Sequence, residues 1–151
     1  MRIRTAAAVA LLALTALGAT AASAEDDGET LTVVFKDRQE HQVDTDGPGR
    51  TPGDYYVFAQ RLESRRGRIV GDVYGRCTYH FDGMELCEGV FKITGKGDIS
   101  VQGAFPEDFS EPVILAVNGG TDRYRTAHGE GRFTVFPSGD FGVVFLLSLD
   151  D

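Results

Sequence analysis

The stretch GDISVQGAFPEDFSEPVILAVNGGTDRYRTAHGEGRF, which runs from Gly97 to Phe133, decides the fold of this chain. Three short segments in and just beyond it, near positions 98–105, 112–118 and 128–136, are separated by polar, glycine-containing connections. No sustained helical periodicity links them. Short segments bounded by Gly and Asp are typical of antiparallel strands, because these residues adopt the backbone conformations that tight turns need. The stretch therefore predicts consecutive strands of an all-β protein.

Short segments separated by Gly- and Asp-containing connections continue on both sides of this stretch. Eight strands are predicted, near 30–36, 55–63, 69–81, 84–94, 98–105, 112–118, 128–136 and 141–149. Eight short strands without helical crossovers favour an antiparallel meander, and closure of the meander into a barrel removes exposed strand edges. An eight-stranded barrel has an interior that is just wide enough for side chains or for one small ligand.

The N-terminal segment has the pattern of a secretory signal peptide. Arg2 and Arg4 precede an apolar run at 6–19, and Ala22-Ser23-Ala24 supplies the small residues of a cleavage site. The run is shorter than the about 20 apolar residues that a membrane-spanning helix needs. We therefore expect residues 1–24 to be removed after Ala24, and residues 25–151 to form a single secreted β-barrel domain.

The charge balance bears on the choice of partners. The chain has 15 Lys and Arg residues against 23 Asp and Glu residues, a net charge of −8. An acidic protein is repelled by phosphate backbones, so nucleic acid is not expected as a partner. No segment after the signal peptide is apolar enough to suggest a membrane span.

Two cysteines, Cys77 and Cys87, lie on neighbouring predicted strands. In an exported protein such a pair usually forms a disulfide. A three-residue loop at 81–83 places the cysteines opposite each other, whereas a two-residue turn puts them on opposite faces of the ribbon. Gly83 suits the left-handed position at the end of the wider loop. We predict the wider loop and the disulfide, and two buried free thiols are the alternative.

Alternation on this hairpin predicts which side chains point into the barrel. The inward set contains small and apolar residues: Gly71, Val73, Gly75, Cys77 and Tyr79 on one strand, and Cys87, Gly89, Phe91 and Ile93 on the other. Two later segments, at 113–117 and 141–147, are apolar on both faces. A strand that is apolar on both faces implies a cover for its outer face. Another subunit or a terminal extension would provide it.

The motifs of common hydrolases, phosphate loops and zinc sites are absent from the sequence. A long polar connection is predicted from Asp37 to Asp54. Its Asp44-x-Asp46-Gly47 fragment lacks the later oxygen ligands of a calcium loop. We interpret it as turn chemistry and predict no metal site.

Three groups of residues carry a resemblance to the allene oxide cyclase and dirigent barrels. The segment 99–103 (ISVQG) leads to an apolar strand, which is followed by Gly119-Gly120-Thr121, Tyr124 and a Gly-x-Gly at 129–131. Gly53-Asp54 resembles the entry to the second strand of these barrels, and Gly75-x-Cys77 resembles a motif on the third strand of the plant cyclases. The chain is thus similar to this family over most of residues 25–151, as a secreted bacterial-type member.

The resemblance implies a closed barrel that works without a cofactor, and the related barrels are known as trimers. In the cyclases an apolar cavity coils an unsaturated substrate while a few polar groups stabilise charge during ring closure, and a cysteine matching Cys77 lines the cavity. Dirigent proteins bias the coupling of bound intermediates. The cyclases also carry a glutamate and an asparagine on the first strand, and segment 30–35 has neither. Asn118 is the only asparagine in the chain.

Two functional interpretations stay open at this point. The first is a secreted barrel that binds a small apolar molecule in its lumen and, if it is an enzyme, guides a cofactor-free cyclisation or stereoselective coupling. The second is a non-catalytic extracellular interaction module with a solidly packed barrel. The sequence does not identify a ligand or assign catalytic residues. The candidate pocket residues are Asp54, Tyr56, Val73, Cys77, Tyr79, Phe91 and Asn118.

Overall fold

The computed structural model describes residues 28–150, and all eight predicted strands are present as one closed antiparallel barrel. Each strand pairs with the next along the chain, and the first strand also pairs with the last. The strands are β1 Glu29–Val43, β2 Tyr55–Glu63, β3 Ile69–Tyr79, β4 Met84–Ile93, β5 Gly97–Pro106, β6 Val113–Gly120, β7 Ala127–Val135 and β8 Phe141–Leu149. The predicted signal peptide lies outside the described residues.

The first strand is longer than the sequence suggested. We expected the connection to begin at Asp37, but β1 continues to Val43. Asp37 has a left-handed backbone conformation (φ 51°), and the register against β2 shifts between Lys36 and Gln39. This irregularity is a β-bulge, which strands use to bend and to redirect side chains. The polar composition of residues 38–43 reflects a strand near the rim of the barrel rather than a loop.

The β3–β4 hairpin confirms the predicted register and the disulfide. Cys77 is paired with Cys87, their Cα atoms are 4.0 Å apart, and their sulfurs are bonded. The connection is a short 3₁₀ turn over Phe81–Gly83, in which Gly83 has φ 69° as the wider loop requires. Asp82 is also left-handed (φ 59°), a conformation that Asp tolerates better than most residues.

Inward-pointing apolar residues form one continuous core. Val73 and Cys77 on β3 are buried while their neighbours Asp72 and Arg76 are exposed, as the alternation predicted. One part of the barrel is closely filled by large side chains. These fully buried residues are Val33, Leu62, Ile99, Tyr124, Val143, Phe145 and Leu147.

The outer faces of β6 and β8 are uncovered in the part of the chain that the structure describes. Ile114 is 49% exposed and Leu146 is 37% exposed. No described terminal segment packs over them. Between residues 28 and 150, no helix has the length and apolar character that crossing a bilayer would require.

Candidate functional site

The remaining part of the lumen is hollow. A cavity of about 500 Å³ lies between the inner faces of the strands and opens toward one end of the barrel. The volume falls within the roughly 300–1,000 Å³ of typical ligand sites. The solidly packed barrel of the second interpretation is therefore wrong.

Two paired glycines lie on the inner face of the β3–β4 hairpin beside the cavity. Gly75 on β3 is paired with Gly89 on β4, so two neighbouring inward sites have no side chain. The ring of Phe58 covers Gly75, and a Cβ there would come within 2.3 Å of the Phe58 Cζ atom. At Gly89 a Cβ would meet no atom closer than 3.5 Å. Gly89 therefore lines the cavity at a position where a Cβ would make only ordinary van der Waals contacts.

Phenylalanines form much of the wall. The ring centroids of Phe35 and Phe91 are 6.0 Å apart, and those of Phe35 and Phe133 are 5.8 Å apart. Phe105 and Phe109 meet the edge and face of Phe133 at 5.1 and 5.5 Å. Aromatic rings at such spacings are a favourable surface for a flat apolar ligand, because the faces and edges carry complementary partial charge.

A phenol and a carboxylate form the polar part of this wall. The Tyr56 hydroxyl donates a hydrogen bond to Glu85 Oε2 at 2.8 Å, and both residues line the cavity. Burial, together with the hydrogen bond to Glu85 and its negative charge, raises the pKa of Tyr56 well above its ordinary value. The phenol therefore stays protonated at neutral pH and acts as a donor. The Tyr79 ring packs on Tyr56 with centroids 5.7 Å apart.

The bulge in β1 brings Arg38 to the cavity. Its guanidinium lies 5.7 Å from the centre of the Tyr56 ring and 5.8 Å from that of Phe58, distances at which a cation attracts an aromatic face. Arg38 also forms an ion pair with Glu40. The positive charge of Arg38 is thus already matched by a carboxylate of the same strand.

The β1–β2 loop, residues 44–54, is held in place by Asp54. Asp54 is 3% exposed, and each of its carboxylate oxygens accepts hydrogen bonds from a backbone amide and a hydroxyl, one oxygen from Thr45 and the other from Thr51. The backbone amides of Thr45 and Thr51, aided by their hydroxyls, lower the pKa of Asp54 to about 2. Asp54 is therefore a loop anchor.

The anchored loop reaches the rim of the cavity through Arg50. Its guanidinium lies 4.9 Å from the centre of the Tyr79 ring, and it forms an ion pair of 3.3 Å with Glu107 in the β5–β6 connection. The loop that Asp54 holds thus contacts a residue from a different part of the chain beside the cavity opening.

Two groups of potential metal ligands occur among the described residues. The first, Cys77, Glu85 and Cys87, has its sulfurs joined in the disulfide, and the thiolate is the form of cysteine that binds metals. The second is Asp44, Asp46 and Asp54, in which both oxygens of Asp54 are occupied by the loop. Hydrogen bonding within the loop accounts for this second cluster.

The structure brings together four of the residues that the sequence suggested. Tyr56, Val73, Cys77 and Phe91 line the cavity, and Tyr79 is buried beside Tyr56. The other two candidates lie elsewhere. Asp54 anchors the β1–β2 loop. Asn118 is exposed on the outer face of β6, because Val117 before it points inward and successive strand residues face opposite sides. Asp54 and Asn118 therefore do not belong to the cavity wall.

Several cavity residues were not expected from the sequence. Continuing the inward alternation of β2 from Tyr56 gives Phe58 and Gln60, and continuing that of β4 from Cys87 gives Glu85. The sequence alternation could therefore have identified Phe58, Gln60 and Glu85. It could not have identified Arg38, because the bulge at Asp37 changes which residues of β1 face inward.

Taken together, the fold and the site define a closed eight-stranded barrel with an aromatic-walled internal cavity. No family model matches the sequence, and no curated protein matches it either. Among solved structures, the chain is similar to a pyocyanin demethylase, with 27% identity and a TM-score of 0.65 over 78% of this chain and 99% of that one.

Two cyclases share the fold at lower identity. The Diels–Alderase AbmU from Streptomyces koyangensis is 19% identical, with a TM-score of 0.59 over 87% of this chain and 72% of that chain. A nonspecific heme-binding cyclase of neoabyssomicin biosynthesis is 16% identical, also with a TM-score of 0.59, over 85% of this chain and 66% of that chain. The neighbours are therefore barrel enzymes that act on small molecules. None of the three is an allene oxide cyclase or a dirigent protein.

Proposed function

We propose that this protein binds one small, largely apolar and aromatic molecule inside the barrel. The observation that carries the proposal is the cavity of about 500 Å³ with its wall of phenylalanines. A pocket that is mostly apolar, with a few polar groups to fix orientation, is the usual form of a small-molecule site. Tyr56, Glu85 and Gln60 supply the polar groups here.

The similarity to the pyocyanin demethylase supports the proposal, since it spans nearly the whole of that chain at 27% identity. A reaction suited to this site would depend on the orientation of the bound molecule and on local charge, as the resemblance to the allene oxide cyclase and dirigent barrels implies. Cyclisation or stereoselective coupling is of that kind. The proposal assigns no cofactor to either step.

Titration of an apolar fluorescent probe, such as an anilinonaphthalene, into the protein without its signal peptide tests the proposal. The variants are Gly89→Leu, which adds a side chain inside the cavity, and Val90→Leu, which places the same side chain on the outer face of the same strand. A Cβ at Gly89 would clash with no atom and would lie beside Val73 and Val101, whereas the Val90 side chain is outside the barrel. Circular dichroism and an unfolding curve check that both variants are folded.

Wild type and Val90→Leu should bind about one probe per chain with the same affinity, and folded Gly89→Leu should bind at least about tenfold more weakly, a loss of about 1.4 kcal/mol. Equal binding by folded Gly89→Leu would show that the probe binds elsewhere. Absence of saturable binding by the wild type would contradict the proposal outright.

Export and assembly complete the proposal. The N-terminal pattern at 1–24 and the Cys77–Cys87 disulfide both suit a secreted protein. The exposed apolar residues on the outside of β6 and β8, Ile114 and Leu146, suit a contact with further copies of the chain, and a homotrimer follows the pattern of the related barrels. Mass determination of the secreted protein tests the cleavage site after Ala24, and light scattering tests the trimer.

A further inference from the structure

Glu85 differs from every other charged side chain that lines the cavity. Resting on the proposed function, we infer that Glu85 makes the cavity selective for a ligand that carries a positive charge or an N–H donor on its aromatic body. Glu85 belongs to β4 and is half-buried beside the disulfide. Its Oε2 atom accepts the hydrogen bond of Tyr56, and within residues 28–150 no cation lies within ion-pair distance of it.

Four other charged residues of the wall are matched. Each forms an ion pair with a residue outside the wall or at its rim, so that its charge is balanced before any ligand arrives. The pairs are Lys36 with Asp140 at 2.5 Å, Asp37 with Arg61 at 2.8 Å, Glu107 with Arg50 at 3.3 Å, and Arg38 with Glu40.

Glu88 contributes to the wall without placing its charge there. Its neighbours Cys87 and Gly89 point inward, so the Glu88 side chain points to the outside of the barrel, where it is exposed. The unmatched charge on the inner surface is therefore negative and belongs to Glu85.

A ligand that fills the cavity removes water from this carboxylate. Desolvation of an unpaired charge is unfavourable, and an approaching group of opposite charge or a hydrogen-bond donor offsets that cost. An anionic ligand would add repulsion instead. Charge at Glu85 therefore discriminates among ligands of the same shape.

Tyr56 prepares the carboxylate for this role. Its protonated hydroxyl occupies Oε2, and no donor from the described residues occupies Oε1. Oε1 is thus left for the ligand. Two further rings pack against that of Tyr56. The Tyr79 centroid is 5.7 Å from the Tyr56 centroid, and the Phe58 centroid is 6.2 Å from it. Arg38 already lies over the rings of Tyr56 and Phe58, and Arg50 lies over that of Tyr79, so the preference for a positively charged ligand depends on Glu85.

Three probes with one naphthalene body test the inference. They are 1-naphthylmethylammonium, 1-naphthylmethanol and 1-naphthoate, which are cationic, neutral and anionic at neutral pH. Dissociation constants are measured by calorimetry for wild type, Glu85→Gln and Glu88→Gln at physiological ionic strength. Glu88→Gln is the matched control, because it removes the same charge from the outer face of the same strand, three residues from Glu85.

For the wild type and Glu88→Gln we expect the cation to bind about tenfold more tightly than the neutral probe, and the anion to bind most weakly. In Glu85→Gln the neutral probe should keep its affinity, which shows an intact cavity, while the preference for the cation is lost. A cation preference that survives in Glu85→Gln, or neutral binding without any charge order in the wild type, would overturn the inference alone. Failure of all three probes to bind would overturn the proposed function and the inference with it.

Discussion

The ring of Phe58 occupies the space over Gly75 in which any other residue would place its side chain. A Cβ at Gly75 would lie 2.3 Å from the Phe58 Cζ atom and 2.8 Å from the backbone oxygen of Glu88. The backbone oxygen cannot give way without disturbing the β3–β4 ladder. At Gly89, which is paired with Gly75, a Cβ would meet no atom closer than 3.5 Å. The two glycines thus serve different purposes, one for packing and one for the cavity.

Replacement of these paired glycines should separate the two purposes. Gly75→Ala overpacks the wall and should lower the free energy of unfolding by about 1–3 kcal/mol. Gly89→Ala should change it by less than about 0.5 kcal/mol, because its methyl group would make only ordinary van der Waals contacts. Urea unfolding followed by circular dichroism measures both values. Equal losses for the two variants would contradict the assigned difference.

Phe145 and Phe141 provide a second contrast on β8. Phe145 is fully buried and meets the Phe91 ring edge-to-face at 4.9 Å, whereas Phe141 is 45% exposed and stacks on Phe133 at the cavity. Phe145→Ala should cost about 3–5 kcal/mol of folding free energy, as expected for a buried aromatic side chain. Phe141→Ala should cost much less and should chiefly weaken probe binding. A smaller loss of stability for Phe145→Ala than for Phe141→Ala, measured by thermal and urea unfolding, would contradict this division.

The disulfide should stabilise the fold through the unfolded chain. It joins residues separated by 10 positions, and closure of a loop of this length contributes about 2–3 kcal/mol. Cys77→Ala/Cys87→Ala should lose that amount in guanidinium unfolding. Wild type unfolded in the presence of a phosphine reductant is the control and should lose a similar amount. Coincident curves for oxidised wild type and the double variant would show that the bond contributes nothing.

Asp54 should give the β1–β2 loop a defined acid sensitivity. Its pKa in the folded protein, about 2, lies below the ordinary value of 3.8, so the ionised carboxylate favours the anchored loop. That contribution is fully present above pH 3.8 and is lost as the pH falls toward 2. The amide NMR signals of Thr45 and Thr51, which donate to Asp54, should shift with a midpoint near 2. In Asp54→Asn this transition should disappear, and a midpoint at or above 3.8 in the wild type would contradict the anchor.

The strands and the hairpin could be predicted because their determinants are local. Alternation and turn residues place eight strands, and the pairing of Cys77 with Cys87 follows from the length of one loop ending in Gly83. The end of β1 could not be predicted, since the bulge at Asp37 lies among polar residues that are equally suited to a loop. Composition there does not distinguish a rim strand from a turn.

The site was harder to predict from the sequence than the strands, because it depends on contacts between residues that are distant along the chain. Alternation assigns Tyr56, Cys77 and Phe91 to the inner face, but it does not show whether that face is filled. The hollow depends on how side chains from many strands fill the lumen, and the role of Asp54 arises from hydrogen bonds within its loop. Asn118 was suggested because the similar cyclases carry an asparagine and this chain has only this one, at the end of the sixth strand, but that position does not fix the direction of its side chain.

The central claim is that a small aromatic molecule occupies the lumen of this barrel. Diffraction from crystals soaked in 1-bromonaphthalene, with an anomalous map at the bromine edge, tests it most directly. The account predicts one bromine peak per chain inside the barrel, near Gly89 and Phe91, and no such peak in Gly89→Leu. An empty lumen with bromine only on the outer faces of the strands would contradict it.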